Sequence, residues 1–111
     1  MDKLETYRQH IKHTLSEYAS LSAADTMIET QLLFDEQHGH YQLLHVGWQD
    51  KRRIYGCVMH MDLKNGKIWI QHNGTEADIG AELEDSGVPK GDIVLGFRSP
   101  AARVYTGYAV A

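Results

Sequence analysis

The segment Met59-His60-Met61-Asp62-Leu63-Lys64-Asn65-Gly66-Lys67-Ile68-Trp69-Ile70-Gln71-His72 decides how this chain folds. Asn65-Gly66 is the preferred pair for a two-residue type I′ turn, which needs positive φ at both central residues and matches the twist of the flanking strands. Such a turn sets Leu63 opposite Ile68, Met61 opposite Ile70 and Met59 opposite His72. Opposed residues of an antiparallel pair share a face. Met59, Met61, Leu63, Ile68 and Ile70 are therefore expected on one buried surface.

Working outward, a strand over 41–49 precedes one over 53–63, and a tight turn at Asp50-Lys51 joins them. That turn pairs Trp48 with Arg53, Val46 with Tyr55 and Leu44 with Cys57. Carried on with strict alternation, it adds Leu44, Val46, Trp48, Tyr55 and Cys57 to the apolar face. The opposite face then holds Leu43, His45, Ile54, Val58, His60, Asp62, Trp69 and Gln71, a mixed set with more apolar area than a solvated face needs.

Residues 27–35 alternate with period two and read as a further strand. Residues 3–19 carry Leu4, Tyr7, Ile11, Leu15 and Tyr18 along one helical face, with Asp2 as the cap. A second helix is expected over 76–86, capped by Thr75, stopped by Gly87 and followed by Pro89. Residues 93–97 form a short apolar run, and the tail turns at Pro100–Arg103 before a short extended piece. The expected fold is α+β, one domain over 1–111: a four-stranded antiparallel meander packed by the N-terminal helix, with a second helix and a short C-terminal strand.

Composition narrows the function. The 111 residues are 42% hydrophobic and 23% charged, as in an ordinary globular domain, and are enough to bury a core without staples. No run of 18 apolar residues offers a membrane span, and no apolar segment near the start suggests a secretory signal. Eleven basic against fifteen acidic residues, for a net charge of −4, weigh against autonomous binding to nucleic-acid phosphates. Cys57 is alone, which excludes an intrachain disulfide and fits a reducing cytoplasm.

Few residues suggest chemistry. His45, His60 and Asp62 fall on one face in the register above, and two imidazoles with a carboxylate could support a metal-assisted nuclease or hydrolase. A half-exposed polar sheet face explains them as well. His38-Gly39-His40 is a loop pair of the kind that binds metal weakly. Neither Gly-x-Ser-x-Gly nor a phosphate-cradling glycine loop is present. The expectation is no catalytic residue, no metal and no cofactor. Trp69, Arg98, Arg103, Tyr105 and Tyr108 combine residue types enriched at interface hot spots and are the candidate partner-binding set.

The run His60-Met61-Asp62-Leu63-Lys64-Asn65-Gly66-Lys67-Ile68-Trp69-Ile70-Gln71 resembles the XisI family's His-x-Asp-Ile-Lys-x-Gly-Lys-Ile-Trp-Ile-Gln. Gly47-Trp48, Arg53, Thr75-Glu76, Gly87-Val88-Pro89-Lys90 and Asp92-Ile93-Val94-Leu95-Gly96-Phe97 match in order, so the resemblance spans essentially the whole chain. Trp48, Arg53, His60, Asp62, Gly66, Trp69, Gln71, Thr75 and Pro89 are its motif positions here. The chain departs from the pattern at Thr106-Gly107-Tyr108-Ala109-Val110, where the family commonly has Thr-Glu-Phe-Ala-Val. The resemblance implies a non-enzymatic accessory factor controlling excision of the fdxN DNA element in heterocyst-forming cyanobacteria. It further implies work through protein partners, an XisH-like protein and a site-specific recombinase, either self-associated or in a hetero-complex.

Overall fold

The structure, a computed structural model, describes residues 2–21 and 27–111. The order is α1 (Lys3–Leu21), β1 (Ile28–Asp35), β2 (His40–Gln49), β3 (Arg52–Lys64), β4 (Lys67–Asn73), α2 (Ile79–Asp85), a 3-10 turn (Lys90–Asp92), β5 (Ile93–Leu95) and α3 (Pro100–Arg103). The sheet runs β1-β2-β3-β4-β5. Its first four strands form the expected antiparallel meander, but β5 joins the same sheet parallel to β4, with Ile93 beside Ile68. The sheet is thus five-stranded and mixed. The crossover through α2 supplies the long connection that a parallel pair requires.

The two turns behave as their sequences dictate. Asn65 and Gly66 have φ of 55° and 74°, and Asp50 also sits at positive φ. Leu63 pairs with Ile68, Met61 with Ile70 and Trp48 with Arg53. Away from the turns the register shifts twice. Leu44 pairs with Cys57 but Leu43 with Met59, leaving Val58 as an extra residue of β3. Met61 pairs with Ile70 but His60 with His72, leaving Gln71 as an extra residue of β4, so Met59 faces Asn73 and not His72. Each extra residue makes a β-bulge.

The Val58 bulge overturns half of the expected face assignment, because a one-residue shift sends every later side chain to the other face. Met59, Met61, Ile68 and Ile70 are buried as expected, but the partners of the first two are Leu43 and Tyr41, also buried. Leu44, Val46, Trp48, Tyr55 and Cys57 lie on the opposite face, where Tyr55 remains 69% exposed. His45 and Ile54 lie on the core side of the sheet, away from His60 and Asp62.

One core results. Tyr7, Ile11 and Leu15 of α1 cover Tyr41, Leu43, Met59, Met61, Ile68 and Ile70, and Ile79, Leu83, Val88 and Ile93 close the cluster. Asp2 caps α1 by accepting the Glu5 amide at 2.8 Å. The second helix starts later than expected because Asp78, not Thr75, is its cap, accepting from the Ala81 amide at 3.0 Å. Thr75 is held in a turn by Asn73, whose Oδ1 accepts from both its amide and its hydroxyl. At the other end Gly87, at φ 106°, lets the Gly87 and Val88 amides bond back to the Glu84 and Leu83 carbonyls. This six-residue closure packs buried Val88 on buried Leu83.

Candidate functional site

On the sheet face away from α1, β2 and β3 present four polar side chains in a square. Alternation places His40 and Gln42 on that face of β2, and His60 and Asp62 on that face of β3. The shifted register sets His40 directly opposite Asp62 and Gln42 opposite His60. Both imidazoles reach one carboxylate oxygen. Asp62 Oδ1 lies 2.8 Å from His40 Nδ1 and 2.7 Å from His60 Nε2.

The other carboxylate oxygen is also engaged, since Gln71 Nε2 donates to Asp62 Oδ2 at 3.1 Å. The bulge in β4 leaves Gln71 unpaired on the ladder beside Asp62. Gln42 Nε2 stands 3.5 Å from His60 Nδ1. The side chain of Asp62 is 13% exposed, while that of His40 is open to solvent. Burial acts to raise the Asp62 pKa, but the hydrogen bonds from His40, His60 and Gln71 outweigh it and hold the carboxyl below its ordinary value. A cavity of about 390 Å³ lined by Leu33, Asp35, His40 and Gln42, with Leu32 and Phe34, adjoins His40.

Sequence spacing brings His60 and Asp62 together but leaves His40 in a loop pair with His38, whereas the structure places it in β2, and it wrongly groups the two with His45. The triad of His45, His60 and Asp62 is therefore dissolved, and His40 takes the place of His45. The missed signal lies in β2 itself. Apolar residues stand at 41 and 43 and then at 44, 46 and 48, a change of parity that β3, apolar at 55, 57, 59, 61 and 63, does not share. Facing strands can keep their apolar residues opposed under such a mismatch only if one of them carries an extra residue.

The candidate partner-binding residues divide into two groups. Trp69 is only 7% exposed, with the Arg103 guanidinium 5.1 Å and the Lys64 ammonium 4.6 Å from its ring. Arg103 also donates to the carbonyls of Arg98, Val110 and Gly96, clasping the C-terminal segment over the tryptophan. Behind it the Ala109 amide bonds to Ile93 O. Tyr108 donates to Glu84 at 2.8 Å and packs over Gly80, where a Cβ would stand 2.8 Å from the phenol oxygen. That contact explains a glycine inside α2. Tyr105, 88% exposed, and Arg98, lying over Phe97, face outward with Val104.

The remaining motif positions have structural roles. Arg53 lies 5.4 Å from the Trp48 ring and bonds to Gly47 O, Gly66 makes the hairpin, and Pro89 precedes the 3-10 turn. Cys57 is half-buried, and burial pushes its thiol pKa up, outweighing a backbone hydrogen bond with Met59 that acts to lower it. Among the described residues no helix is long and apolar enough to cross a membrane.

Comparison with known proteins agrees along the full length. The family model described as XisI protein matches residues 1–110. The crystal structure of a XisI-like protein from Anabaena variabilis ATCC 29413 superposes with a TM-score of 0.93 at 47% identity, over 97% of this chain and 99% of that one. The crystal structure of the fdxN element excision controlling factor XisI from the same organism superposes at 0.87 with 36% identity, over 99% and 100% of the two chains. Among curated proteins no sequence matches. With sequence and fold in agreement from end to end, the chain belongs to the XisI family.

Proposed function

We propose that this chain is a non-enzymatic controlling factor for excision of a DNA element, acting in the cytoplasm through protein contact. The observation that carries the reading is its end-to-end likeness, at 36% identity, to the fdxN element excision controlling factor. The net charge of −4 fits a protein that engages a DNA-acting protein better than one that engages DNA phosphates.

The partner is an XisH-like protein, with a site-specific recombinase as the catalytic member of the system. Contact is made by the outward-facing C-terminal surface of Phe97, Arg98, Val104 and Tyr105, which joins apolar area to a cation. Arg and Tyr there are of the types that dominate interface energetics. Trp69, Arg103 and Tyr108 hold that surface in place from beneath.

The test is co-purification of the tagged chain with the XisH-like protein, alongside excision of the element in cells. The wild-type chain is expected to retain the partner, and Tyr105→Ala with Arg98→Glu to release it while circular dichroism stays unchanged. No association by the wild-type chain, or excision indifferent to deleting it, refutes the proposal. Sedimentation of the chain alone reads whether a second copy occupies the surface instead.

A further inference from the structure

We propose that His40, His60 and Asp62 form a binding site for one divalent first-row transition ion, with zinc as its readiest occupant. The inference is independent of the excision-control reading, and it reverses the expectation from sequence that no metal is held.

Three observations carry it. The donor atoms, two imidazole nitrogens and a carboxylate oxygen, lie within 4.8 Å of one another. Imidazole with carboxylate is a donor set for zinc and its neighbours, and three protein ligands leave a further position for water or another ligand. Metal–ligand bonds near 2.0–2.2 Å with tetrahedral angles separate donor atoms by about 3.3 Å. The two contacts at Asp62 Oδ1, 2.7 and 2.8 Å, need open by only about half an ångström to admit an ion.

Secondly, the ligands stand on rigid backbone. All three project from adjacent paired strands, His40 directly across from Asp62 and His60 two residues away on the same face. Thirdly, a supporting layer is present. Gln71 holds Asp62 Oδ2, leaving Oδ1 toward both rings. The Gln42 carboxamide is beside His60 Nδ1. With its oxygen turned to the ring, it accepts the Nδ1 proton and leaves the Nε2 lone pair for the metal. Ligating histidines characteristically use the second nitrogen this way. The exposed side of His40 is the entry path.

The experiment is calorimetric titration of the purified, chelator-treated chain with zinc chloride at neutral pH, with Co²⁺ absorption as a second readout. One ion per chain with micromolar or tighter affinity is expected, with ligand-field bands from bound cobalt. His40→Ala, at an exposed position, and His60→Ala should each weaken binding at least about tenfold. His45→Ala and His38→Ala should leave it unchanged. Should His60→Ala unfold the chain, Gln71→Ala tests the supporting layer and should weaken binding without removing a ligand. No stoichiometric binding overturns the proposal, as does binding that survives His40→Ala and His60→Ala. Loss on His38→Ala with retention in His60→Ala assigns the ion to the His38–His40 loop pair and likewise overturns it.

Discussion

Leu43→Ala and Leu44→Ala, adjacent substitutions of identical chemistry, discriminate between the two possible faces of β2. Leu43 is fully buried against Met59 and α1, whereas Leu44 is half-buried on the other face, opposite Cys57. Truncating Leu43 removes three carbons, about 2.4 kcal/mol at roughly 0.8 kcal/mol each. A residual cavity of some tens of Å³ adds about 1 kcal/mol, for a total of roughly 3–4 kcal/mol. Truncating Leu44 should cost about 1.5 kcal/mol, because the residue is only partly buried and leaves no closed cavity. Total stability for a domain of this size is about 5–15 kcal/mol, so the first variant loses a large share of it. Urea denaturation at 25 °C measures both differences, and the melting temperature of Leu43→Ala should fall by about 10–15 °C. A Leu44→Ala variant as destabilised as Leu43→Ala, or more so, would show that strict alternation holds and that the Val58 bulge does not exist.

Tyr7 donates to Asp92, which also pairs with Lys3 at 2.9 Å, tying α1 to the 3-10 turn. The Tyr7 and Lys3 contacts hold the Asp92 pKa below its ordinary value despite burial, so its stabilisation is complete above the ordinary carboxylate range and is lost as pH falls through the lowered folded value. Tyr7→Phe should cost about 1.5 kcal/mol at neutral pH, with the gap to wild type closing in acid, and a gap independent of pH counts against the pairing. Gly39→Ala should cost more than about 2 kcal/mol, because its φ is 72° and the new Cβ would stand 2.6 Å from the Leu63 carbonyl oxygen. Gly66→Ala, at φ 74° with open space around it, should cost only the conformational part, about 1–2 kcal/mol, and thermal melts showing equal losses would remove the steric contribution. Cys57, its thiol raised by burial, should react with a thiol reagent at neutral pH more slowly than free cysteine, which stopped-flow absorbance checks.

Local physics made most of the elements legible. Asn65-Gly66 demands positive φ twice in succession, Asp2 caps α1 with its carboxylate, Gly87 ends α2 at positive φ, and the stripe from Tyr7 to Leu15 shows at a 3.6-residue period. Two features were decided by contacts that the hydropathy pattern does not show. The start of α2 is set by Asp78, which accepts the Ala81 amide, while Asn73 holds Thr75 in a preceding turn where the Thr75 hydroxyl accepts only the Ala77 amide. The placement of β5 depends on α2 returning the chain to lie parallel beside β4, and three apolar residues carry no mark of the strand they will join.

The histidine site depends on register in the same way. His60 and Asp62 share a face in any register, because two residues of one strand two apart always do. Which histidine joins them is decided between strands. Extending the pairing of Leu44 with Cys57 without interruption would set His60 against Tyr41 and Asp62 against Gly39, bringing His45 to their side. With Val58 inserted, His60 meets Gln42 and Asp62 meets His40. The same insertion turns Tyr41 and Leu43 inward, where both are fully buried. Were Val58 instead to take a ladder place opposite Leu43, Tyr41 and Leu43 would share the face of His60 and Asp62, and His40 and Gln42 that of Met59 and Met61, so the shift that completes the core is also the shift that assembles the site. Gln71 repeats the arrangement in β4, where the unpaired residue supplies the amide that orients Asp62. The Val58 bulge therefore couples the site to the hydrophobic core: a ladder that paired Val58 with Leu43 would lose both together.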